Sequence, residues 1–356
     1  METVINFQID RLDYYRRHAR TTLSHLTWRK AANLALNLFE LRVKTPTPRS
    51  LPLYLKLEPT PLCHMGCLGC GHRDPLFKKQ FDPSMKMGLE EFKRIIDPLA
   101  DALIGITFSL RGEPLLNRNL PSLVKYAHAK NIGTSFPTNL SIPMDKRFAE
   151  EIVSSGLDAM FVSLDGATEE SYSKYRIGGD FDLVLKNVRL LSQAKRDLES
   201  RSPRLIWKFV IFDYNRVEIP VARRKHKELG FDEMEFVEDY HGVPAKEREL
   251  EVNRRLVEKK SACFFPWNTM TVTFDGEVKP CCFRSQEFAL GNANAGPKEI
   301  WRSEAYTRLR LGFATKDYGE NMHPVCKACV GLAPQARLLP VQIAVKPQRP
   351  VLAELP

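Results

Sequence analysis

Cys63, Cys67 and Cys70 stand in the run Cys63-His64-Met65-Gly66-Cys67-Leu68-Gly69-Cys70, a Cys-x3-Cys-x2-Cys triplet. Three thiolates this close along a chain can wrap one corner of a cubane. A [4Fe-4S] cluster normally takes four protein ligands, so a three-cysteine loop leaves one iron open to an exogenous chelate, and that iron is where chemistry can occur. A zinc site or a partial disulfide set is the alternative. Zinc usually recruits paired Cys-x2-Cys units into a closed tetrahedron, and no fourth cysteine lies near the triplet.

The elements that must position this loop alternate. Strand-like stretches fall at Leu53 to Leu57, Ile104 to Leu110, Gly133 to Pro137, Ala159 to Leu164, Leu205 to Ile211 and Glu233 to Val237. Helical patterns fall at Leu89 to Leu99, Leu120 to Lys130, Lys146 to Ser154, Phe181 to Lys195 and Val217 to Leu229. Six β/α units in a row predict an α/β fold with a parallel sheet. Such a sheet binds ligands at the carboxyl ends of its strands, and the triplet directly follows the first strand at that edge.

Before the sheet, Ala31, Leu34, Ala35, Leu38 and Leu41 recur at helical spacing beside Arg29, Lys30, Glu40 and Arg42, which predicts an amphipathic helix over Trp28 to Val43. Packing on the main domain is the common fate of such a stripe; peripheral membrane contact is the other. Thr45 to Pro52 holds three prolines and reads as a linker. Gly242 to Lys260 is charged and reads as a bridge to a second unit, which opens with Cys263. That unit contains a hairpin, Thr269 to Phe274 and Val278 to Pro280, turning at Asp275-Gly276, then a helix from Lys298 to Gly312. The domains expected are a basic helical extension over 1–50, a core over 51–245, a small unit over 246–333, and a proline-containing tail over 334–356.

The 356 residues, 43% hydrophobic, can build a sizeable core. No segment has the roughly 20 apolar residues needed to span a bilayer, and the first residues lack a secretory pattern, so a cytoplasmic location is expected. Eight cysteines at cofactor spacings fit a reducing compartment better than a disulfide framework. The net charge of +10 suits an anionic partner. Residues 1–50 carry nine Lys or Arg against four Asp or Glu, yet no basic run is interleaved with aromatics, so nucleic acid is not the expected partner.

The triplet and the strand-end motifs that follow it resemble the radical S-adenosylmethionine superfamily. The resemblance implies an open (β/α)6 TIM-like barrel, and a cofactor whose amino and carboxylate groups chelate the free iron. Cleavage of its sulfonium would give a 5′-deoxyadenosyl radical that takes hydrogen from carbon, with an external electron donor such as flavodoxin or ferredoxin. Arg111-Gly112-Glu113-Pro114 after the second strand is similar to the family's Gly-Gly-Glu-Pro turn, so Gly112 and Glu113 are expected to receive the methionine ammonium. Arg111 departs from that pattern and is expected to bring a cation toward cofactor or substrate. Thr138 and Asn139 after the third strand, Ser163 and Asp165 after the fourth, Arg176 beyond them and Asn215 after the fifth resemble the family's cofactor-binding positions. A turn residue or helix cap is the plainer reading of each alone. Gly69 stands where the family commonly has an aromatic residue near the adenine, with His72 or Phe77 as substitutes.

Cys263, Cys281 and Cys326-x2-Cys329 resemble the SPASM and twitch extensions, which hold auxiliary clusters. No cysteine follows Cys329, which favours the shorter twitch form with one auxiliary [4Fe-4S] cluster; four-cysteine zinc uses similar spacing. Cys282 is left over. In related enzymes this position faces substrate, which implies a base or hydrogen-atom donor; a buried structural thiol is the plain reading. The expected activity is dehydrogenation, or Cys282-assisted epimerisation, of a sugar-like small molecule, because twitch relatives act on sugar-like alcohols. A peptide or lipid-linked substrate is the alternative, the peptide disfavoured by an N-terminal segment too short for a leader-binding wing. A non-enzymatic metal-stabilised binding protein is the reading from another class.

Overall fold

The computed structural model describes residues 19–238, 263–282 and 288–315. Six parallel strands carry the fold: β1 (Tyr54–Leu57), β2 (Gly105–Phe108), β3 (Gly133–Thr138), β4 (Ala159–Ser163), β5 (Arg204–Ile211) and β6 (Glu233–Glu238). They lie in sequence order, each paired with the next. Strands hydrogen-bonded this way need crossovers, and helices over Leu89–Ile96, Leu120–Ala129, Lys146–Ser154, Phe181–Asp197 and Ile219–Leu229 supply them. The parity of each strand divides its side chains between two faces. Leu55, Leu57, Ile106, Phe108, Phe136, Met160, Val162, Leu205, Trp207 and Phe209 join the core that the helices cover. The alternate positions, Lys56, Thr107, Ser135, Phe161 and Lys208, are half-buried and line the inner face. This is the expected partial (β/α)6 barrel.

Four findings differ from the sequence-based expectation. First, the C-terminal hairpin is not a separate sheet: β7 (Thr269–Val272) pairs parallel with β1, and β8 (Glu277–Lys279) and β9 (Gly291–Asn292) extend it antiparallel, giving nine strands. Second, the helix expected over Lys298 to Gly312 is two, Pro297–Trp301 and Glu304–Ala314, because Ser303 takes an extended backbone and caps Tyr306 N. Third, a short helix, Glu169–Tyr175, follows β4, capped by Thr168 accepting from Ser171 N. Its polar sequence carries no apolar period to announce it.

The fourth concerns α1 (Trp28–Val43), whose bounds match expectation but whose orientation does not. The buried side chains are Lys30, Asn37 and Glu40, while Leu38 of the apolar stripe is exposed. Glu40 accepts from Arg49 N and Ser50 N at 2.7 and 3.0 Å, and Trp301 Nε1 donates to Ser50 O at 2.9 Å. The prolines of the linker are therefore strapped to the barrel. The bridge over 242–260, Cys326, Cys329 and the tail lie outside the described residues.

Candidate active site

The cysteine triplet hangs from the carboxyl end of β1 and is strapped to the segment that ends the Glu169–Tyr175 helix. Gly66 N donates to Ile177 O at 2.8 Å and Leu68 N to Tyr175 O at 3.1 Å. Arg176, between those two carbonyls in sequence, places Nη1 at 3.8 Å from Cys67 Sγ. Its Nε donates to Asp165 Oδ2 at 2.5 Å. The three cysteines gather with Met65, Tyr175, Val210 and Phe212 in one apolar cluster. Gly69 has φ +74°, a left-handed backbone that an aromatic side chain would strain. His72 braces the loop from behind: its Nε2 donates to Pro61 O at 2.8 Å, and its ring lies 5.2 Å from Phe77 and 5.8 Å from Phe81.

The second strand end meets this loop closely. A Cβ on Gly112 would stand 2.3 Å from Thr60 O and 2.5 Å from Leu62 O, so only glycine lets the two turns touch. Glu113 N donates to Leu62 O at 2.7 Å. The Glu113 carboxylate is buried and accepts from Thr138 Oγ1 at 2.6 Å, Asn139 N at 2.7 Å and Leu115 N at 3.1 Å. Asn139 Nδ2 in turn lies 3.9 Å from Cys63 Sγ. Strand ends two and three are thus joined through one carboxylate and reach the first cysteine.

The electrostatics of this corner are those of a place for cations. Burial pushes the Cys63 thiol up to about 12, helped by the charge of Glu113. Burial also raises Cys67 against the opposing Arg176 guanidinium, and raises Glu113 against its three donors. Desolvated acids regain their charge when a cation arrives. The three cysteines of this loop carry the thiol donors that a [4Fe-4S] cluster would take, although among the described residues no three Cys, His, Asp or Glu side chains form a site for a single metal ion; the Glu113 carboxylate is suited to an ammonium group.

Two expected site residues are committed elsewhere. Arg111 is paired within the fold: Nε and Nη2 donate to both oxygens of Glu58, and its guanidinium lies 5.5 Å from the Phe81 ring. Asn215 spends its amide on backbone, accepting from Phe212 N at 2.7 Å and donating to Asp165 O at 3.1 Å and Val210 O at 2.9 Å. It holds the loop after β5 rather than offering a free group. Asp165 accepts from Val210 N at 2.7 Å, and Ser163 is buried at the end of β4, in register with Lys208.

The inner face carries groups the sequence reading passed over. Burial raises the pKa of the Cys282 thiol against the opposing charge of the nearby Lys56. Lys208 has a lowered pKa, from burial first, with Lys56 and Arg176 adding repulsion and Glu235 and Asp165 opposing. Neither ammonium forms an ion pair with a carboxylate among the described residues. A lysine inside Leu55-Lys56-Leu57 and another inside Trp207-Lys208-Phe209 was the available signal, since strand parity sends both opposite to the core. Cys263, Cys281 and Cys282 are half-buried.

The Radical SAM superfamily model matches residues 57–201, and the SPASM iron-sulfur cluster-binding domain model matches residues 263–330. Mycofactocin maturase MftC of Mycolicibacterium smegmatis is 29% identical over 147 residues, 40% of this chain and 35% of its own length. The chain thus spans about a third of the length of that relative. The antilisterial bacteriocin subtilosin biosynthesis protein AlbA of Bacillus subtilis is 22% identical over 275 residues, 68% of this chain and 57% of its own. The crystal structure of Streptococcus suis SuiB bound to S-adenosylmethionine superposes with a TM-score of 0.55 at 14% identity, covering 73% of this chain and 68% of SuiB. That likeness is one of fold.

Proposed function

This chain belongs to the radical S-adenosylmethionine superfamily, with a SPASM-type cluster domain, and from that premise we propose that it modifies a carbon centre of a polypeptide substrate bearing an anionic group. The observation that carries the reading is the Arg176 bridge, which touches Cys67 Sγ and Asp165 at once and so ties the cluster loop to the cofactor-binding strand ends. Cys63, Cys67 and Cys70 would hold the cluster, which with S-adenosylmethionine would supply radical chemistry able to take hydrogen from unactivated carbon.

The protein's own residues bind, orient and exclude. Glu113, held by Thr138, Asn139 and Leu115, is oriented to accept from the cofactor's ammonium. Asp165 and Ser163 stand at the next strand end for ribose oxygens, and Asp165 also fixes Arg176. The apolar cluster of Met65, Tyr175, Val210 and Phe212 packs against the cysteine loop. On the inner face, burial and the charge of Lys56 both disfavour the Lys208 ammonium, which a substrate carboxylate or phosphate would offset. Cys282, beside Lys56, is positioned to return a hydrogen atom or accept a proton from the substrate. Cys263 and Cys281, with Cys326 and Cys329, are the residues for one auxiliary cluster.

Support for a polypeptide over the expected sugar-like molecule comes from the relatives, which include a maturase and a bacteriocin biosynthesis protein. Family membership sets aside the reading as a non-enzymatic binding protein. The test is direct. Protein reconstituted with iron and sulfide, reduced and given S-adenosylmethionine, releases 5′-deoxyadenosine, and Cys67→Ala abolishes it. Release that survives Cys67→Ala sinks the cluster assignment. Candidate peptides and sugars are then compared for substrate-dependent stimulation, and stimulation by a sugar alone refutes the polypeptide reading.

A further inference from the structure

Helix α1 is turned with its polar side to the protein. Lys30, Asn33, Asn37 and Glu40 recur at helical spacing, and each finds a partner: Lys30 Nζ donates to Asn131 O, and Asn33 Nδ2 donates to Leu51 O at 3.0 Å. Asn37 Nδ2 donates to Trp267 O at 2.5 Å, and Glu40 caps the Arg49 and Ser50 amides. At about 100° per residue the opposite side carries Trp28, Ala32, Ala35, Phe39 and Val43, flanked by Leu36 and Leu38. Trp28 is 77% exposed, Phe39 64%, Leu38 56% and Val43 54%. Six of the eleven exposed large hydrophobic side chains among the described residues lie between Leu23 and Val43. A soluble helix normally presents the reverse pattern.

Within residues 19–50 the exposed charges have one sign. Arg20, Arg29, Arg42 and Arg49 are exposed, whereas Glu40, the single acid between residues 19 and 50, is buried and spent on backbone amides. Arg29 also reaches Asp101 at 2.6 Å on the neighbouring surface. We propose that this outward face is a docking surface for a bilayer containing anionic lipid, with α1 lying in the plane of the interface. Its 16 residues are about 24 Å long, and no described helix is long and apolar enough to cross a membrane. An apolar arc with a tryptophan and flanking arginines suits the boundary between acyl chains and anionic headgroups.

The position of α1 leaves the active site unobstructed. Its partners are Asn131, just before β3, and Trp267, just before β7, and the preceding His25 bonds Asp158, just before β4. These are the amino ends of the strands, whereas the cysteine loop follows the carboxyl end of β1. Docking through α1 would therefore hold the cofactor mouth on the aqueous side.

The experiment is vesicle flotation of the cluster-reconstituted full chain. The expected result is flotation with phosphatidylglycerol-containing vesicles, loss on phosphatidylcholine alone or at high salt, and about tenfold weaker partition for Trp28→Gln/Phe39→Gln. Arg42→Glu should weaken partition to the anionic vesicles alone. An unchanged thermal transition and cluster absorbance show that the variants fold. Because Trp207, Trp267 and Trp301 are at most 1% exposed, the acrylamide-quenchable emission, taken as wild type minus Trp28→Phe, reports on the proposed face. It should be lost when anionic vesicles are added. Absence of flotation, or equal partition of wild type and double variant, overturns the proposal. So does shielding of Trp28 without lipid, which means another segment covers the face, or a dimer that the double variant dissociates, which means a second copy does.

Discussion

Arg111 grips both carboxylate oxygens of Glu58, Nε to Oε1 at 2.7 Å and Nη2 to Oε2 at 2.5 Å, across 53 residues of sequence. Glu58 directly follows β1 and is fully buried, and Phe274 N of the C-terminal hairpin approaches its Oε2 at 3.5 Å. The pair therefore ties the Gly112-Glu113 turn to the strand that carries the cysteine loop and to the cluster hairpin. Arg111→Gly, which restores the family's usual residue, strands the buried Glu58 charge. We predict a loss of about 3 kcal/mol in urea unfolding, with Glu58→Gln recovering part of it in the double variant. A stable single variant that instead loses only substrate affinity would assign Arg111 to the substrate.

Glu113→Gln exchanges an acceptor for an amide among three donors. S-adenosylmethionine affinity, measured by equilibrium dialysis, should fall about tenfold to a hundredfold, the worth of a charged hydrogen bond, while iron content is kept. Loss of iron in parallel would mean that Glu113 holds the loop rather than the cofactor.

Lys56→Met and Lys208→Met should each raise KM for the substrate about tenfold, with 5′-deoxyadenosine release in the absence of substrate unchanged. Greater effects on that basal release than on KM would place the lysines with the cofactor.

Cys282→Ala discriminates the two radical outcomes. If the thiol returns hydrogen, 5′-deoxyadenosine is still formed while a product of unchanged redox state disappears; if the product is oxidised, its yield survives the substitution.

The amino-terminal segment titrates with the fold. His25 bonds Asp158 at 3.0 Å, and that hydrogen bond raises its pKa above 6.5 despite burial. The folded state holds this proton more tightly than the unfolded chain, so the stabilisation is present below pH 6.5 and is lost as pH rises through the folded value. Lys30 runs the other way: burial lowers it from 10.5 to about 8, so its contribution improves as pH rises between those values. Unfolding of wild type against His25→Gln should show a difference that shrinks from pH 6 to pH 8. A difference independent of pH would deny the pair its proton.

The strand and helix order could be read from the sequence because parallel β/α units repeat a strong local signal, apolar strand then amphipathic helix. Every strand from β1 to β6 lies within about a residue or two of its expected place. The helix over Glu169–Tyr175 escaped because Glu169, Glu170, Ser171 and Lys174 give no apolar stripe, yet its end is what delivers Arg176 to Cys67. For α1, periodicity found the helix and not its facing, since four polar side chains that hydrogen-bond the protein turn it so that Ala35 and Leu38 of the apolar stripe face outward.

By itself the sequence determined the chemistry on offer: cysteine spacing is a covalent constraint that selects a three-ligand loop, and strand-end motifs in order select what surrounds it. Only the tertiary structure decided where the long side chains go. Arg111 turned to Glu58, Asn215 to the β5 loop, Arg176 to Cys67 and Asp165, because buried charge and amide groups take the nearest complementary partner in space, and that neighbour is set by pairing between strands far apart in the chain.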